Sequence, residues 1–141
     1  MKILSLQYKI VNSLAFICWA LLIIIPTATI IDTLIADVVI VGLSVFYFYL
    51  LFVAKDVPGE QYPKGNFTSL AGVVNLFANP RGVLVGWVHY LAFDLLVGLH
   101  IKAEATALGM SHWLQIPCFI LTFIFGPLGY LLFFILARVW Y

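Results

Sequence analysis

The chain has 141 residues, enough for one domain, with 65% hydrophobic residues, 9% charged residues and a net charge of +1. A soluble domain is nearer half apolar and about a quarter charged, and one this small could not hide so much apolar surface from water. An ordinary water-soluble fold is therefore excluded, and the near-neutral charge leaves no basic field for nucleic acid.

The first ten residues carry Lys2 and Lys9 ahead of an apolar run that continues to Ile31. The run is too long for the core of a signal peptide and no small-x-small site ends it, so it reads as an uncleaved first span over residues 10–31. Pro26 is expected to kink that span or tighten its last turn. Asp32 and Asp37 then mark a tight turn over residues 31–37, and a second, short span follows at 38–54. Each crossing needs about 20 apolar residues, because a helix rises about 1.5 Å per residue through roughly 30 Å of hydrocarbon. Continuous apolar runs, rather than alternating ones, favour helices over barrel strands.

The connection to the third span is long. Its first half is rich in proline, glycine and charge and reads as loop. Its second half, residues 69–78, places Leu70, Val73, Val74 and Phe77 at helical spacing. That predicts a short helix lying on the membrane surface or dipping into it. Asn79 and Pro80 then supply a cap and a first-turn proline for the next helix. Asn66-Phe67-Thr68 matches a glycosylation sequon, read as chance because the loop is expected on the cytoplasmic side. The third span is predicted at 83–101 and the fourth at 116–137. Cys18 and Cys118 lie inside apolar runs and read as packing residues.

The expected fold is therefore all-α: a single transmembrane domain over residues 1–141, built as a bundle of four spans plus the short helix. With the N-terminus inside, Lys2, Lys9, Lys55, Lys64, Arg81 and Arg138 fall on the cytoplasmic side and only Lys102 falls outside. This is a positive-inside pattern for a multi-pass protein of the inner (plasma) membrane, with both termini cytoplasmic.

Asp94 stands near the middle of the third span. A carboxylate at that depth costs several kcal/mol unless paired, protonated or wetted, and such residues usually face the bundle interior. Tyr90 and Trp87 precede it by four and seven residues, on the same helix face. An apolar site with a few convergent polar groups suits a lipid or polyene ligand. His89 lies five residues before Asp94, about 140° around the helix, so the two share one spot only if the helix kinks. A protonated carboxyl and a neutral imidazole would form an acid/base pair. In the fourth span Thr122, Gly126 and Gly129 form a small-residue face beside Pro127, which frees the carbonyl of Phe123. That face serves either tight packing or a broken helix lining the cavity of Asp94. Asp32, Asp37, His100, Glu104 and His112 share one side, but no tight metal motif is present and solvated loop residues are the expected reading. No metal or cofactor is expected. Haem would need two histidines at matching depth, and only His89 is deep.

The string Gly86-Trp87-Val88-His89-Tyr90-Leu91-Ala92-Phe93-Asp94-Leu95 resembles the abscisic acid-deficient four-like family of small membrane proteins. Ile116-Pro117-Cys118, Thr122-Phe123, Gly126-Pro127-Leu128-Gly129 and the entry Asn79-Pro80-Arg81-Gly82 resemble it too, so the likeness extends over about residues 10–138. Leu99-His100-Ile101-Lys102 departs from the family pattern. The plant member is required for making neoxanthin from violaxanthin, an epoxide-to-allene isomerisation, while the short N-terminus points to a bacterial member. The resemblance implies an intramembrane isomerase of a carotenoid or other isoprenoid. Asp94 and His89 would then be the acid and base, with Trp87, Tyr90, Thr122, Gly126 and Gly129 contacting substrate. The alternatives are a non-enzymatic carotenoid or lipid binder, a structural subunit of a membrane complex, or a small transporter. The partners expected are the bilayer and an apolar isoprenoid ligand, and a homo-oligomer is possible.

Overall fold

In the computed structural model, which describes residues 1–55 and 61–140, six helices follow one another: α1 (Lys2–Ile24), α2 (Thr29–Val53), α3 (Leu70–Ala78), α4 (Pro80–Ala107), α5 (His112–Phe125) and α6 (Pro127–Trp140). No strand occurs among the described residues. Residues 56–60, within the predicted polar loop, lie outside them. Three helices, α1, α2 and α4, are long and apolar enough to cross a membrane.

Helix α4 is the centre of the bundle and touches all five others. Its buried positions include Leu84, Val88, Leu91, Leu95, Ile101 and Ala105, a spread of spacings that wraps around the helix instead of marking one stripe. A helix buried on several sides needs such a pattern. Between helices in lipid the driving force is close packing rather than exclusion from water. Accordingly, Trp19 of α1 lies across Gly98, packs against Phe119 and Phe123 of α5, and is only 2% exposed.

The predicted boundaries shift where proline and buried charge decide them. Pro26 ends α1 instead of kinking it, because α1 stops at Ile24 and the chain turns over residues 25–28. The turn predicted at 31–37 is helix: α2 already begins at Thr29 and carries both acids in its first turns. It is wound as π-helix over Leu34–Ile40 and Tyr49–Val53. Its last carbonyls, of Leu50 and Ala54, accept hydrogen bonds from Arg81 Nη1, each at 2.8 Å. A cation at a helix C-terminus satisfies orphan carbonyls and suits the dipole.

The short helix is present as α3, capped by Ser69, whose hydroxyl accepts from the Gly72 N–H at 3.1 Å. The sequon asparagine organises the approach to it: Asn66 Oδ1 accepts from the Thr68 N–H and hydroxyl. Leu70, Val74 and Phe77 remain exposed, an apolar face fitted to lipid. As predicted, Asn79 caps α4 by accepting from the Arg81 N–H, with Pro80 in the first turn.

The predicted fourth span is not one helix. It breaks at Gly126 into α5 and α6, each of 14 residues and therefore about 21 Å long, short of a crossing. Helix α5 starts beside the upper end of α1, where His112 meets the Ile23 carbonyl, and ends beside Tyr90 and Asp94 at the middle of α4. Helix α6 then runs back. Tyr130 faces His100, and Arg138 shares a groove with Glu104 and Leu108 near the end of α4. The two form a hairpin, held close where Gly129 lies against Thr122 and the Cys118 carbonyl. Consequently the two chain ends lie at opposite ends of α4. Met1 packs near Pro80 and Leu84 at the start of α4, and Arg138 near its finish.

Candidate functional site

The tip of the hairpin meets the centre of α4. Asp94 is 7% exposed there, and its Oδ2 is buried without a hydrogen-bond partner. Gly126 sits against the other carboxyl oxygen so closely that a Cβ would stand 2.8 Å from Oδ1. Its φ of 52° and ψ of −94° lie where side-chain-bearing residues rarely go, so glycine is needed for both space and backbone.

Breaking a helix inside a membrane leaves carbonyls and N–H groups that need partners. One turn before Asp94, the Tyr90 hydroxyl donates to the Ile124 carbonyl at 2.9 Å and approaches the Phe123 carbonyl at 3.3 Å. These are groups that the break frees at the end of α5. On the other side of the break, α6 begins beside Asp94, so the positive end of its dipole lies near the carboxyl. The result is a carboxyl group, a phenol and two half-helix ends gathered in the bundle interior.

Tyr90→Phe is expected to leave both carbonyls uncapped. An unsatisfied buried acceptor costs about 1–3 kcal/mol. The check is a thermal melt in mild detergent, with Tyr130→Phe as the comparison, since Tyr130 makes ring contacts with His100 and Phe133. Equal melts for the two variants would remove the capping role from Tyr90.

The other residues singled out in the sequence divide. Trp87 lies on the Tyr90 side, with rings 5.4 Å apart, but its indole N–H donates to Asn12 Oδ1 at 3.1 Å and its ring meets Tyr8. It fastens α4 to α1. His89 is not brought to Asp94. Its ring is exposed, lies 4.6 Å from Phe93 and 5.7 Å from Tyr47, and belongs to the α2 side of α4. The straight helix keeps the two residues on different faces, as the 140° offset requires. Thr122 is fully buried and its hydroxyl donates to the Cys118 carbonyl at 2.7 Å, so with Gly129 it packs the hairpin.

Among the described residues no group of three His, Cys, Asp or Glu side chains could hold a metal ion. Asp32 instead pairs with Lys102 at 2.5 Å, and Lys102 is 7% exposed on α4 rather than in a loop. Sequence reading missed this pair, and also Asn12. The signal for the pair was slight: the helical apolar pattern around Lys102 runs on to Ala105.

A family model described as ABA DEFICIENT 4-like matches residues 6–133. No curated protein and no solved structure matches the chain.

Proposed function

The chain belongs to the ABA DEFICIENT 4-like family, and from that premise we propose that it is an intramembrane isomerase of an isoprenoid substrate, with Asp94 as its acid and base. The observation that carries this reading is the buried, unpartnered Oδ2 of Asp94 at the break between α5 and α6. For an epoxide on a polyene, protonated Asp94 gives its proton to the epoxide oxygen as the C–O bond breaks. The carboxylate then takes a proton from the adjacent alkene carbon, and that C–H electron pair becomes the second double bond of an allene. The acid is returned and no oxidant is needed. One carboxyl serves both steps, because His89 lies on another face. Tyr90, one turn before Asp94, holds the end of α5 in place by donating to the Ile124 carbonyl. The deciding comparison is wild type against Asp94→Asn in reconstituted vesicles. Loss of product with retained pigment supports catalysis, whereas a wild type that holds pigment and makes no product points to a binder.

The membrane arrangement belongs to the same proposal: three crossings by α1, α2 and α4 in the inner (plasma) membrane, with α5 and α6 entering from and returning to one side. Lys2, Lys9, Lys55, Lys64 and Arg81 then share the cytoplasmic side with the N-terminus, against Lys102 and Arg138 opposite. Single cysteines at Ser5 and Val139, in a chain whose Cys18 and Cys118 are replaced by Ala, should label from opposite faces of oriented vesicles. Labelling of both from one face would restore a fourth crossing.

A further inference from the structure

A groove of about 490 Å³ opens between the last turns of α4 and the second half of α6, at the end of the bundle away from the N-terminus. Its volume is in the range of small-molecule sites. Tyr130, Phe133 and Phe134 of α6 and His100 of α4 give it ring walls. The Tyr130 ring lies 5.9 Å from His100 and 6.2 Å from Phe133, so these three form one surface. Aromatic rings beside charged groups at a helix end suit the headgroup level of a bilayer.

Two opposite charges line this groove, Glu104 from α4 and Arg138 from α6. Among the described residues no ion pair joins them or takes up either charge. Arg138 is held instead over the Phe134 ring, 5.0 Å from its centroid, a cation–π contact that stations the guanidinium at the rim. An acid and a base kept apart in one groove attract a molecule that carries the complementary pair of charges. A molecule with a single charge of either sign is repelled by one of them. The outer face of α6 says what else that molecule brings. Leu131, Ile135 and Val139 are exposed there, an apolar face fitted to acyl chains.

We infer that this groove binds the headgroup of a zwitterionic phospholipid, with the phosphate at Arg138, the ammonium at Glu104 and the acyl chains along the apolar face of α6. A guanidinium fits phosphate oxygens, and an ammonium suits both a carboxylate and the aromatic walls. An anionic lipid would bring the phosphate without the ammonium and leave Glu104 against negative charge. The inference rests on the membrane arrangement of three crossings, which puts this end of α4 and α6 at one bilayer surface. Failure of that arrangement would show in the cysteine labelling at Val139, whatever lipid the groove retains. The chemistry at Asp94 is separate: Glu104 lies ten residues beyond it on α4 (104 − 94), about 15 Å along the axis.

The test uses the full chain in nonionic detergent micelles. Native mass spectrometry counts the lipid retained when phosphatidylethanolamine and phosphatidylglycerol with identical chains are supplied in equal amounts. The two share the phosphodiester and differ in an ammonium against a glycerol. Wild type should retain the ethanolamine lipid roughly fivefold over the glycerol lipid, the ratio that one headgroup charge implies. Glu104→Gln should abolish that preference by admitting the glycerol lipid, and Arg138→Gln should lower retention of both lipids by a similar factor. Asp37→Asn, at an exposed acid of the same end outside the groove, should leave the preference unchanged. All three side chains are exposed, and the wild-type ranking needs no variant. Equal retention of the two lipids by wild type would overturn the inference. So would a preference that survives in Glu104→Gln, or an equal loss of it in Asp37→Asn, which would trace it to the field of the whole surface. Glycerophosphoethanolamine, the same headgroup without chains, should not displace the lipid at equal concentration. Displacement would overturn the lipid as the occupant.

Discussion

Asp94→Asn should lower isoprenoid turnover by about 10²–10⁴-fold, the usual worth of a general acid or base, with little change in stability. The two side chains have the same shape, so the packing against Gly126 is preserved. Oδ2 has no partner to lose. What the amide cannot do is release a proton and take one back. In the proposed reaction one group performs both steps, so no second acid/base residue is left to carry partial activity, and His89→Phe should cost little by comparison. The measurement is single-turnover product formation in vesicles, beside a thermal melt and an assay of bound pigment. Undiminished turnover in folded Asp94→Asn would remove the carboxyl from the chemistry. A His89→Phe defect as large as that of Asp94→Asn would bring the histidine back.

The second large effect is expected at the hairpin tip. Gly126→Ala forces a Cβ onto a backbone at φ 52° and ψ −94° and places it 2.8 Å from Asp94 Oδ1. The backbone strain alone is worth about 1–3 kcal/mol, and for a chain of this size each kcal/mol moves the melting point by roughly 2–4 °C. The added crowding falls on Asp94 itself, so activity should drop together with stability. Gly42→Ala is the control. Gly42 is helical, with nothing within 4 Å of the added methyl. By helix propensity that change is favourable by up to about 1 kcal/mol. A melt of Gly126→Ala that matches wild type would mean that the break does not hold this conformation. A straight α5–α6 helix would be the natural alternative, and cysteine labelling at residue 139 would then move to the other face.

Sequence and structure divide the protein along a physical line. Hydropathy is additive over consecutive residues, so the helical membrane character and three of the spans were legible in composition and run length. Capping is local, so the pair Asn79 and Pro80 at the start of α4 was legible as well, while the Ser69 cap of α3 was not read. The depth of Asp94 followed from its place in an apolar run. The offset of His89 followed from helical geometry alone.

The fate of the fourth apolar segment did not follow in this way. A largely apolar segment of 22 residues, 116–137, with a central Gly-Pro satisfies lipid equally well as one kinked span or as two half-helices folded together. The choice rests on partners distant in sequence: Tyr90 donating to the Ile124 carbonyl, Thr122 admitting Gly129, and Tyr130 meeting His100. The same holds for Lys102 and Asp32, both expected on the outer side but not as partners, which pair across 70 positions with Lys102 buried and Asp32 half-buried. The sequence by itself determined that this is a helical membrane protein with a carboxyl group deep in its third span. Only the tertiary structure decided that a helical hairpin brings its broken tip to that carboxyl, because hydropathy is a property of single segments and hydrogen-bond satisfaction in lipid is a property of pairs.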